Sequence, residues 1–167
     1  MSEPTAERPF MPDYGIAADT GALLPWSWAE ERLAESTNMW LATSGREGRP
    51  HVMPVWAVWL DGAVWLSSGH RSRKALNLLA EPRCTVTTDD TTRPLVIEGT
   101  AEPVTDASAV RRFADTVNGK YAGGRPATDQ EIAFFLRNHV FRIRPERAFG
   151  LEEERFTETP TRWTFVT

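Results

Sequence analysis

Eighteen consecutive residues limit this chain more than any others. His51-Val52-Met53-Pro54-Val55-Trp56-Ala57-Val58-Trp59-Leu60 runs into Asp61-Gly62, and Ala63-Val64-Trp65-Leu66-Ser67-Ser68 follows. Both runs are rich in β-branched and aromatic residues, and Asp-Gly between such runs predicts a two-residue hairpin with a type I′ turn. That turn sets the register. Leu60 is expected opposite Ala63, Val58 opposite Trp65 and Trp56 opposite Ser67. On the other face Trp59 meets Val64, Ala57 meets Leu66 and Val55 meets Ser68. Near the turn both faces are apolar, so neither is simply a solvent face. At the far end each face gains a serine, which suits the rim of a ligand site beside an apolar wall.

The next segment supplies a charge for that rim. Ser72 is placed to cap a helix over residues 73–80, which Pro82 stops. Arg73 and Lys74 then lie in its first turn, where the free N–H groups and the helix dipole favour an anion rather than a cation. Two cations set against the dipole are explained by a bound phosphate, which they would hold through charge-assisted hydrogen bonds. The competing reading is an ordinary basic surface turn. Lysine is scarce here: Lys74 and Lys120 stand against seventeen arginines.

Composition narrows the classes of partner. A net charge of −4 gives no overall basic field for nucleic acid. A local basic cluster suits a small anionic ligand better. One cysteine, Cys84, rules out an internal disulfide and fits a reducing cytoplasm. No apolar run reaches the roughly 18 residues of a membrane span, and the N-terminal residues do not read as a signal peptide. With 167 residues the chain can build one domain with a real core.

Residues 1–25 read as a mobile arm or extended lead-in, and residues 26–167 as the folded domain. Ser27 and Glu30 have capping-box spacing for a helix to about Ser36. Strands are expected at 39–43, 83–88, 94–103, 140–144 and 162–166, with Phe149-Gly150-Leu151 continuing the sheet. Gly99 marks a bulge or close approach. Asp106 caps a helix to about Asn118; Gly119, Gly123 and Gly124 form a loop; and a Thr128/Glu131 capping box opens a helix to about Asn138. Tight hairpins and the lack of a βαβ rhythm give a mostly β, α+β chain: an antiparallel closed or split β-barrel with short helices.

Other chemistry is sparse. His51, His70 and His139 have no metal-ligand spacing. Cys84 reads as a buried small residue, and Trp59 and Trp65 as core. Trp56, at the polar end of the wall, could support a flat ring. No Ser-His-Asp set or paired carboxylates can be argued. A phosphate anchor and an aromatic wall without an acid, base or nucleophile point to a cofactor that carries the chemistry.

Residues 39–104 resemble the pyridoxamine-5′-phosphate-oxidase-like superfamily, the flavin and deazaflavin (F420) split β-barrels. The most specific matches are Ser72-Arg73-Lys74-Ala75, Asn77 and Glu81-Pro82-Arg83, then Val96-Ile97-Glu98-Gly99-Thr100-Ala101-Glu102. The resemblance implies a homodimer with the cofactor at the subunit interface. It implies that Arg73 and Lys74, after Ser72, bind the cofactor phosphate. His51, Val52, Met53, Pro54, Val55 and Trp56 would run along the ring, largely through backbone groups. Leu66, Ser67 and Ser68 would line the phosphate-side rim. Arg162-Trp163 either belongs to a core strand or reaches the partner's site. His51, Trp56 and Pro94 stand where vitamin B6 oxidases carry arginine, lysine and glutamine, and an Arg-Leu-His motif is absent. The pattern therefore points to F420-dependent hydride transfer to a small organic acceptor. FMN is the alternative cofactor, and a non-enzymatic flavin- or haem-type binder is a further reading.

Overall fold

The computed structural model describes residues 3–166. Nine strands occur among them: β1 (Thr5–Glu7), β2 (Met39–Ser44), β3 (Pro50–Val55), β4 (Ala57–Leu60), β5 (Ala63–Ser68), β6 (Arg83–Thr88), β7 (Leu95–Val104), β8 (His139–Gly150) and β9 (Thr161–Thr164). Four helices join them: α1 (Trp26–Glu35), α2 (Arg73–Ala80), α3 (Ala107–Tyr121) and α4 (Asp129–Arg137). Every strand pair is antiparallel, and the architecture is the expected split β-barrel. The path is β1-β9-β8-β7-β6-β2-β3, with β5 on β8 and β4 on β5. Strand β8 makes this possible. One edge pairs with β7 along its length, while the other is shared between β5 at residues 139–143 and β9 at residues 147–150.

The hairpin turn forms as expected, with Asp61 at φ 51° and Gly62 at φ 71°, both in the left-handed region a type I′ turn requires. The four pairs nearest the turn have the expected register. The last two pairs do not form. The expected single strand breaks at Trp56: β3 pairs with β2, so Val55 lies opposite Met39, and only β4 pairs with β5. Ser67 and Ser68 pair instead with Val140 and His139. By changing partners at Trp56 the chain passes from one side of the split to the other, with β3 paired to β2 and β4 to β5.

The hairpin is apolar on both faces because each face meets a different core. Ala57, Val64 and Leu66 join the barrel interior with Leu41, Val86, Ile97 and Phe141. Val58, Ala63 and Trp65 join a second core with Val110, Phe113, Ala114 and Ile132 of α3 and α4. Trp65 also donates its indole N–H to the Leu60 carbonyl at 2.9 Å.

Several elements differ from expectation at their ends. Helix α1 starts at Trp26 with Pro25 as its N-cap, and Ser27 makes no cap, because Pro25 already holds the extended backbone a cap needs (φ −69°, ψ 155°). Helix α3 continues through Gly119 to Tyr121. Strand β8 is continuous through Pro145, which lies opposite Gly99 at a register shift. A Cβ on Gly99 would collide with the Arg144 carbonyl oxygen, so both expectations for that glycine hold. Part of the lead-in is tied down: β1 pairs with β9, and Arg162 bonds Glu7 at 3.0 Å. Trp163 is fully buried and stacks on Trp28, which places it in the core.

Candidate functional site

Helix α2 is capped as its sequence demands. Ser72 Oγ accepts from the Ala75 N–H at 3.2 Å and lies 2.6 Å from Ser68 Oγ, which ties the helix start to the end of β5. Arg73 and Lys74 follow in a first turn without an acidic residue. Among the described residues neither makes an ion pair or a side-chain hydrogen bond. Most arginines elsewhere have carboxylate partners, so these two cations are available to an anion.

Buried Asn77 anchors the other end of the helix face. Its Nδ2 donates to Thr43 Oγ1 at 3.0 Å, and Thr43 Oγ1 donates to the His51 carbonyl at 3.4 Å. This chain of bonds fixes α2 against β2 and β3. Between them a cavity of about 780 Å³ opens, lined by Arg46, Arg49, His51, Arg73, Leu76 and Asn77, with Glu47 as its carboxylate. The Nδ1 atom of His51 is buried without a hydrogen-bond partner.

The expected site residues are therefore distributed unevenly. His51 and Arg73 share the cavity lining. Val52, Met53 and Pro54 are exposed on β3, which among the described residues is an edge strand paired only with β2. Ser68 and Ser72 are bonded together, and Ser67 is half-buried. Leu66 points into the core, so its side chain does not line a rim, and the Val55 side chain is buried as well, which leaves its backbone to face a ligand. Trp56 does not lie beside Ser67. It stands at the crossing between β3 and β4, 67% exposed, with one ring face stacked on Tyr121 at 5.3 Å and 15°.

Tyr121 and Lys120 hold that crossing in place. The Tyr121 hydroxyl accepts from the Ala57 N–H at 3.2 Å and lies 2.8 Å from the Thr37 carbonyl, to which it can donate. Lys120 Nζ donates to the Ala57 carbonyl at 3.1 Å. Burial pushes the Tyr121 hydroxyl up from its ordinary pKa and the Lys120 ammonium down. Sequence reasoning placed both in a helix-ending loop, and a single chain carries no sign of which carbonyl a distant tyrosine will reach. It also passed over Arg46 and Arg49, which look like ordinary loop residues until the turn brings them to the cavity. Cys84 is buried, with its thiol pushed up to about 12 first by burial and then by the charge of Glu146, and so is unreactive at neutral pH. No group of three or more metal-ligating side chains occurs among the described residues.

The residues present fit a phosphorylated ring ligand. Two uncompensated cations stand at a capped helix N-terminus, beside an open cavity and an edge strand whose outer backbone groups are unpaired among the described residues. No helix is long and apolar enough to cross a membrane among the described residues.

Residues 28–151 match the family model described as pyridoxamine 5′-phosphate oxidase. No curated protein matches the chain significantly. Among solved structures, a conserved hypothetical protein from Mycobacterium tuberculosis has a TM-score of 0.71 and 26% identity, over 82% of this chain and 90% of that one. A structure described as an F420 reductase has a TM-score of 0.56 and 23% identity, over 71% and 94% of the two chains. HutZ, described as the haem storage protein of Vibrio cholerae, has a TM-score of 0.51 and 21% identity, over 71% and 87%. The last two likenesses concern the fold alone.

Proposed function

The chain belongs to the pyridoxamine 5′-phosphate oxidase family, and from that premise we propose that it is a cytoplasmic oxidoreductase using a flavin-type cofactor, F420 in preference to FMN. The observation that carries this reading is the pair Arg73 and Lys74, placed at the capped start of α2 without carboxylate partners among the described residues. They would hold the cofactor phosphate with the first-turn N–H groups. The strand from His51 to Trp56 would lie along the ring. When bound, F420 supplies hydride transfer to a small organic acceptor. The chain's own residues position the ring and exclude water from one side; no side chain is assigned a covalent part. His51, Trp56 and Pro94 in place of the residues of vitamin B6 oxidases support a different substrate.

A second copy of the chain is the proposed partner. Trp40, Val52, Met53, Trp56, Leu76 and Leu79 are large apolar side chains left 42–67% exposed on β2, the β3 strand and its end, and α2. Such a patch beside an unpaired strand edge marks an interface, and it would place the cofactor between subunits. Titration of the purified protein with F420 and FMN, followed by absorbance and fluorescence, tests the cofactor. Micromolar F420 binding is expected. Bound flavin on purification selects FMN instead, and turnover of reduced cofactor against quinones, enones and nitro compounds separates an enzyme from a flavin- or haem-type binding protein. Failure of both cofactors to bind at micromolar concentration overturns the reading.

A further inference from the structure

We propose that Arg46 and Arg49 form, beside Arg73, a second anion subsite, so that the ligand of this chain carries a phosphate and at least one further anionic group. This rests on the flavin-type reading above and narrows its ligand class. Five arginines, Arg46, Arg49, Arg71, Arg73 and Arg137, make neither an ion pair nor a side-chain hydrogen bond among the described residues. Three of the five line the same cavity. Arg83, Arg93, Arg125 and Arg155, by contrast, bond carboxylates within a few residues of themselves.

The turn that carries the loop arginines is closed by the Gly48 N–H donating to the Gly45 carbonyl at 2.8 Å, with Gly48 at φ 72°. Arg46 lies inside this turn and Arg49 directly after it, and both reach the cavity wall. Arg73 faces them from α2. Glu47 also lines the cavity and opposes an anion, but it offsets one positive charge of three. At about 780 Å³ the cavity is far larger than a single phosphate fills. Helix α2 already offers a phosphate its N–H groups, Arg73 and Lys74. A monophosphate held there leaves the two loop arginines facing open space, whereas a chain of anionic groups uses all of them.

The test compares the unaltered protein with Arg46→Ala/Arg49→Ala and with Arg73→Ala, at one fixed ionic strength. Each is titrated with F420, whose side chain bears a phosphodiester and carboxylates, and with FMN, a monophosphate. The loop double variant is expected to bind F420 about tenfold or more weaker and FMN less than about twofold weaker, while Arg73→Ala weakens both. Both loop arginines are exposed, and matching thermal melts verify that the variants fold; Arg46→Gln/Arg49→Gln replaces the alanine pair if they do not. Unchanged F420 affinity in the double variant, an equal loss for FMN, or binding of FMN but not F420 by the unaltered protein overturns the second subsite. If neither cofactor binds, the flavin-type reading fails separately, and inorganic tripolyphosphate against inorganic phosphate decides the subsite. A preference for tripolyphosphate that the double variant abolishes supports it, and no preference overturns it.

Discussion

Strands β3 and β4 are one stretch of chain with two different fates. In β4, Ala57 and Val58 are essentially inaccessible, held in separate cores on opposite faces of the hairpin. In β3, Val52 and Met53 are 52% and 42% exposed although both are apolar and adjacent. Composition does not separate the two halves. Their neighbours do: β4 has β5 beside it and helices over one face, while β3 has β2 on one edge and, among the described residues, no strand on the other. Packing within the chain accounts for β4. For β3 it does not, and the uncompensated cations of α2 lie on the same side of the split. The packed part of the hairpin and the exposed part of the wall therefore divide at Trp56.

The largest effect should come from the packed half. Trp65→Ala removes a 2% exposed indole, its bond to Leu60 and its stacking on Phe113, at a cost of about 3–5 kcal/mol in chemical denaturation. Met53→Ala is expected to cost less than about 1 kcal/mol in the monomer. Equal losses would break the comparison. Alkaline pH probes the barrel core through Cys84 on β6. Its thiol titrates near 9 in the unfolded chain and at about 12 when folded. The folded state therefore holds the proton more tightly. Its contribution is intact below pH 9 and is lost as pH rises from 9 towards 12, reaching about 4 kcal/mol at the upper end. Cys84→Ala should flatten the fall of stability in that window, and an identical pH profile would contradict a buried thiol.

The uncovered half should behave in the opposite way. Arg73→Ala with Lys74→Ala is expected to weaken cofactor binding about a hundredfold, roughly 3 kcal/mol, while the melting temperature stays within a few degrees. Neither side chain bonds another among the described residues, so a large loss of stability would show a structural role in place of an anchor. Isothermal titration beside a thermal melt separates the two outcomes.

How much could be read from residues alone follows the same division. Asp61-Gly62 fixed four cross-strand pairs, since a two-residue turn leaves the nearest partners no freedom. It carried no information about Trp56, because a strand that changes partners has the same local pattern as one that continues. The apolar faces were visible, but the second core was not, as it forms only when α3 and α4 return from more than forty residues away. Ser72 announced its helix, and Arg73 and Lys74 conflicted openly with the dipole there. Arg46 and Arg49 conflicted with nothing local, and only the fold gathers them with Arg73. Strand β1 has three exposed residues and no alternation of burial, so its pairing with β9 left no signature.

The smallest effect tests the boundary itself. Tyr121→Phe keeps the ring against Trp56 but removes the hydroxyl that bonds the Ala57 N–H and the Thr37 carbonyl. The loss is expected to be about 1 kcal/mol in stability, the worth of an ordinary hydrogen bond, while Lys120 keeps its bond to the Ala57 carbonyl. Amide hydrogen exchange should locate it. Protection is expected to fall at residues 55–58 and to hold in β5, which keeps its bonds to β8 on its other edge. If exchange rises equally through all of β3 and β4, then the two open together as one unit, and Trp56 is a bend within a single strand in place of a border between two.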